Sequence, residues 1–196
     1  MSLLEYNEIR ERKYIIYDNE PYEVLSSHVF RKQQRKPVNA TKLKNLITGG
    51  VKEIAFHVSE KVEEAEIDSK EIKFLYSNTR LPAGRQGEYW FAEPSDPSKR
   101  FSLKEEVVGP AGKFLKANTV IDLLTFQDRH VGLKLPIKVE LKVVEAPPAV
   151  KGDTAKGGTK QVKLETGAYI NAPLFINEGE VIRINTETGD YVERVN

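Results

Sequence analysis

The sequence predicts an all-β protein built from several small domains, and three observations carry that prediction. Apolar residues recur mostly with a period of two rather than 3.6. Turn signals separate the alternating runs at short intervals. The chain has 196 residues, 39% hydrophobic and 30% charged, a balance that suits small cores with much surface. Small barrels or sandwiches satisfy all three, and a closed barrel also removes sticky strand edges.

The elements follow in chain order. Tyr14–Tyr17 and Pro21–Leu25 flank Asp18-Asn19-Glu20 and predict a hairpin. Ile72–Tyr76, Glu88–Phe91 and Val120–Phe126 are strand-like. Ile137–Val143 alternates apolar and charged residues, as a half-buried strand does. Val181–Asn185, the turn residues Thr188-Gly189-Asp190 and Tyr191–Val195 predict a second hairpin. Only Ala111–Asn118 has helical character. An acidic stretch at Ser59–Lys70 and a connector at Gly132–Pro136 divide the chain into 1–64, 65–129 and 130–196, with no internal repeat between the pieces. Asn78–Gly87 is longer than a tight hairpin needs and reads as a surface extension, or as a second basic contact through Arg80 and Arg85.

Composition excludes several function classes. Cysteine is absent, so there is no disulfide, thiolate metal site or cysteine nucleophile. No apolar run approaches a membrane span, and Met1–Glu5 does not read as a secretory signal, so a cytoplasmic protein is expected. The sequon Asn39-Ala40-Thr41 is accordingly read as chance. His28, His57 and His130 are scattered without metal-ligand spacing. Gly109-Pro110-Ala111-Gly112-Lys113 lacks the Ser or Thr of a phosphate loop and reads as a turn. No Gly-x-Ser-x-Gly elbow occurs. The chain reads as a non-enzyme with no metal or cofactor.

One charge feature stands out against a net charge of +1: no acidic residue lies between Glu23 and Glu53. Arg31, Lys32, Arg35, Lys36, Lys42, Lys44 and Lys52 all fall in that gap, beside His28. A positive field concentrated on one stretch favours a polyanion, most often nucleic acid. Lys42 and Lys44, two apart on the next strand, should share a face.

These segments resemble a known family. Asn19–Val24, the basic loop and Lys42–Gly49 resemble the first domain of bacterial elongation factor P. Val143–Thr154, Lys163–Ala168, Ala172–Ile176, Gly179–Ile182 and Gly189–Val195 are similar to its C-terminal part. The resemblance spans essentially the whole chain, with the middle third weakest. It implies an SH3-like barrel followed by two OB-folds. It also implies a translation factor that enters the ribosome beside peptidyl-tRNA and promotes peptide-bond formation at consecutive prolines. Its partners would be the ribosome, P-site peptidyl-tRNA, ribosomal RNA and a small-subunit protein, and the factor would act as a monomer. Proline is rigid and adopts unreactive geometries. Bracing the CCA end restores a near-attack arrangement and needs cations and stacking rather than base readout.

By the same resemblance, Arg31, Lys32, Arg35, Lys36, Lys42 and Lys44 would contact tRNA and ribosomal RNA. Lys151, Gly152, Asp153 and Thr154 match a loop that approaches the E-site codon. Tyr191 and Arg194 match a Tyr-x-x-Arg that touches a small-subunit protein, although a barrel-core position also suits Tyr191. The loop tip departs from the family. Relatives carry a lysine or arginine there for a modifying enzyme, whereas counting back from Lys42 puts Gln34 at this position, beside Gln33 and Arg35. Three readings stand: Gln34 works unmodified through its amide, the register shifts to put Lys32 or Arg35 at the tip, or an unfamiliar modification acts there. The unmodified tip is favoured. Two rival functions are an elongation factor P-like paralogue, against which Gly152-Asp153-Thr154 argues, and a general OB-fold RNA-binding protein. The second would expose aromatics on a sheet face, with Tyr89, Trp90 and Phe91 as candidates that alternate faces.

Overall fold

A computed structural model of the protein describes residues 2–31, 36–78, 87–148 and 158–195. The described chain is almost entirely β. Contacts group it into two compact units: Met1–Lys70 with Glu106–Gly109 and Asp122–Leu133, and Glu71–Glu105 with Pro110–Ile121 and Lys134–Asn196.

The first sheet contains β1 (Leu3–Glu5), β2 (Tyr14–Tyr17), β3 (Glu20–Phe30), β4 (Val38–Asn45), β5 (Val51–His57) and β6 (Lys61–Glu64), in the order β1-β6-β2-β3-β4-β5. The β2–β3 turn is tighter than the sequence reading. Tyr17 already pairs with Glu20, so the loop is Asp18-Asn19 alone. Both residues have positive φ, 51° and 64°, as a two-residue hairpin turn requires. Leu4, Ile9, Ile15, Tyr22, Val24, Leu43, Phe56 and Val62 form the core beneath this sheet. The acidic stretch read as a junction contains β6, whose Val62 is its buried residue and which pairs with β1 and β2.

A second sheet holds β7 (Asp68–Asn78), β8 (Glu88–Glu93), β9 (Asp96–Lys104), β10 (Val120–Phe126) and β11 (Arg129–Lys134), in the order β11-β10-β7-β8-β9. The helical segment starts earlier than Ala111–Asn118. It is an α-helical turn at Glu105–Val108 followed by a 3-10 turn at Gly109–Phe114. Gly109, at φ 56°, marks the change from one to the other.

The third sheet contains β12 (Lys138–Glu145), β13 (Thr159–Leu164), β14 (Tyr169–Pro173), β15 (Val181–Asn185) and β16 (Tyr191–Val195), in the order β14-β13-β12-β15-β16. Leu141, Val143, Val162, Leu164, Ile182 and Ile184 alternate into its core, and Phe114 from the 3-10 turn joins them.

One turn occurs twice. Asn45 and Asn185 each end a strand. Asn45 Oδ1 accepts the Ile47 and Thr48 N–H groups, both at 2.8 Å. Asn185 Oδ1 accepts those of Glu187 and Thr188, at 2.9 and 3.2 Å. Gly49 and Gly189, at φ 72° and 79°, each donate back to the asparagine carbonyl, at 2.9 and 2.8 Å. Both segments read Asn-x-x-Thr-Gly, a local repeat too short to notice without the hydrogen bonds.

Candidate nucleic-acid interface

The basic gap folds into β3, its connecting loop, β4 and the start of β5. Pairing runs in rows across the three strands: Glu23–Lys44–Val51, Ser26–Lys42–Glu53, His28–Ala40–Ala55 and Phe30–Val38–His57. These rows share the outer face of the sheet. Lys42 and Lys44 therefore lie on one face, as their spacing predicts. β2 pairs with β3 only at Glu20–Glu23, so from Ser26 outward β3 has a single neighbour, β4. β4 keeps β5 on its other side as far as Val38–His57. The outer part is a three-stranded finger rather than a free ribbon.

The register changes the electrostatic picture. In sequence the gap is free of acid. In space Lys44 stands opposite Glu23, and Lys42 opposite Glu53. Lys52 pairs with Asp18 at 3.1 Å and lies over the rings of Tyr17 and Tyr22, 4.2 and 4.6 Å from their centres. The hydroxyl of Tyr22 raises its pKa against desolvation, and the Asp18 carboxylate adds to the rise. Beyond the Lys42 row β3, β4 and β5 carry no acidic residue. Exposed Arg31 and Lys36 follow the last strand pair, while just past β5 the Glu60 carboxylate accepts the His57 N–H at 2.6 Å. Lys32, Gln33, Gln34 and Arg35 lie outside the described residues, as do Arg80, Arg85, Lys151, Gly152, Asp153 and Thr154.

The finger is fixed by a residue that sequence reading treated only as part of a chance sequon. Asn39 is fully buried, and its Nδ2 donates to the Tyr6 and Ile9 carbonyls at 2.6 and 2.9 Å. Such an amide is inaccessible to glycosylation. Thr41, beside it on the inner face, donates to the Ile54 carbonyl at 2.9 Å.

In the third sheet, Tyr191 is half-buried and packs against the core. Arg194 pairs with Glu180 at 3.0 Å. The Glu180 carboxyl is held below the usual carboxylate range, by the Asn177 N–H and, against desolvation, by Arg194. Arg183 is clamped between Glu140, at 2.6 Å, and Glu193, and Lys163 pairs with Glu145 at 2.5 Å.

Sheets of this kind with a cationic finger define a class: an all-β, multi-sheet protein that presents positive charge on one extended hairpin. Comparison with known proteins names the family. Residues 5–62 match the elongation factor P KOW-like domain, and residues 139–194 match the elongation factor P C-terminal domain. Elongation factor P of Moorella thermoacetica is 40% identical over 96% of this chain and 97% of its own. That of Thermotoga maritima is 38% identical over 98% and 100%, and that of Carboxydothermus hydrogenoformans 37% over 96% and 98%. Among solved structures, a translation initiation factor eif-5a family protein from Naegleria fowleri superposes with TM-score 0.44 at 10% identity, over 68% of this chain and 98% of its own. The chain belongs to the elongation factor P family.

Proposed function

We propose that this protein is a ribosome-associated translation elongation factor that binds beside P-site peptidyl-tRNA and promotes peptide-bond formation at consecutive prolines. Family membership supports the general role. The observation that carries the finer reading is the finger, which carries Lys44 and Lys42 along its outer face and exposed Arg31 and Lys36 at its outer end. A phosphate backbone is held by such point charges. The loop with Lys32, Gln33, Gln34 and Arg35 then reaches the peptidyl-transferase centre, and Gln34 acts there unmodified, without a tip-modifying enzyme.

In the same reading the chain forms three barrels at 1–64, 65–129 and 130–196. The third barrel contacts the small subunit through Lys151–Thr154, Tyr191 and Arg194. The protein works in the cytoplasm as a monomer and catalyses no reaction of its own. The test is a reconstituted translation system lacking other factors of this kind. Unmodified protein should relieve stalling on a polyproline template, and Gln34→Ala should reduce relief while leaving ribosome binding near wild type. Binding without relief would refute the unmodified tip, and no ribosome binding would refute the ribosomal role.

A further inference from the structure

We infer that the outer face of β7–β9 binds single-stranded RNA by stacking bases on Tyr76 and Trp90. Neither matched family domain covers this sheet, since the matches end at residue 62 and resume at 139. The three strands pair in rows. Phe74–Phe91–Phe101 and Ser77–Tyr89–Leu103 face inward, with Phe74, Tyr89, Phe91 and Leu103 buried. Lys73–Ala92–Arg100, Tyr76–Trp90–Ser102 and Asn78–Glu88–Lys104 face the other way, with Ala92 covered and Trp90 partly exposed. Of the consecutive trio Tyr89, Trp90 and Phe91, Trp90 alone lies on the outer face.

Trp90 does not lie there alone. Its cross-strand neighbour Tyr76 stacks with it, the ring centres 6.1 Å apart and the planes 18° from parallel. Tyr76 is 49% exposed. A bulge at Leu75 separates Phe74, which points inward, from Tyr76, which points outward. Cations flank the pair on both sides: Lys73 and Arg100 in one adjoining row, Lys104 in the other. Glu88 is the acidic residue of these rows. Arg100 is steadied by its Nε, which donates to the Pro97 carbonyl at 3.2 Å.

Parallel aromatic rings bordered by cations suit a strand with exposed bases and a charged backbone. Charge complementarity favours RNA over a protein partner at this face. The site is built from other residues than the basic finger, and its test needs no ribosome, so failure of the translational reading would leave it standing.

The chain contains one tryptophan, so its fluorescence reports on Trp90 alone. Full-length protein is titrated at low salt with a single-stranded adenylate octamer, and in parallel with an abasic ribose-phosphate octamer of equal charge. The adenylate should quench Trp90 emission saturably and the abasic chain should not. Tyr76→Ala should weaken binding about tenfold, within the range for loss of one stacked base, and Tyr76→Phe should stay within twofold. Arg100→Ala should reduce the salt dependence of binding while retaining the quench. Equal quenching by the abasic chain would overturn the proposal. So would octamer binding, detected by anisotropy, that leaves Trp90 emission unchanged. An emission change with RNA-free ribosomal proteins but not with RNA would also overturn it, marking a protein contact instead.

Discussion

Cations on the first and third sheets meet opposite fates. On the third sheet Arg183 lies between Glu140 and Glu193, Lys163 beside Glu145 and Arg194 beside Glu180. Each of these three cations is neutralised by a carboxylate at hand. On the first sheet pairing is graded: Lys52 has Asp18, Lys44 and Lys42 face one acid each across the strands, and the rows beyond them have none. The two sheets therefore suit different kinds of contact. Exposed ion pairs add little stability and give little net field. A cation-rich outer end attracts a polyanion from a distance and does so more weakly as salt rises.

The largest expected effect concerns what holds the finger in place. Asn39→Ala removes one buried and one partly buried hydrogen bond and leaves the Ile9 and Tyr6 carbonyls in need of partners. It should cost about 2–4 kcal/mol, read from urea unfolding. A loss below about 0.5 kcal/mol would mean that the finger is braced by something else. Next comes the charge gradient itself. Replacing Arg31 and Lys36 together by glutamate should weaken ribosome binding about tenfold or more and lower its salt dependence. The same replacement of Lys42 and Lys44 should do less, because each already faces a carboxylate. Equal losses would erase the distinction between root and outer end.

The smallest effect belongs to the third sheet. Glu180 titrates below its ordinary value of 4.5 when folded. Its stabilising contribution is therefore complete above that pH and is lost as pH falls through the lower, folded value. Glu180→Gln should make the acid side of the stability profile shallower while leaving ribosome binding at neutral pH unchanged. An unchanged acid profile would show that the Asn177 and Arg194 contacts do not favour the charged form.

Much of this fold was legible because alternation is strongest where one sheet face is buried. Val181–Asn185 coincides with β15, and Ile137–Val143 anticipates most of β12. Alternation fails where a strand has little to bury. β6 holds one buried residue, and β9 keeps Leu103 buried and Phe101 partly so at the end of a polar run. The helical segment was misjudged because its fate is decided at a distance: Phe114 anchors in the core of the third sheet. The candidate site was legible in composition but not in register. Nothing local to the sequence says that Glu23 and Glu53, which bound the acid-free stretch, return to stand opposite Lys44 and Lys42.

Asn39 also has a mechanical consequence. It lies one row inside the last strand pair of the finger and is tied to Tyr6 and Ile9, 33 and 30 residues earlier. The finger is a cantilever clamped near its far end as well as at its root. A load applied at the tip is passed through one buried amide to the first turn of the chain, so stiffness there depends on a residue that need touch no RNA.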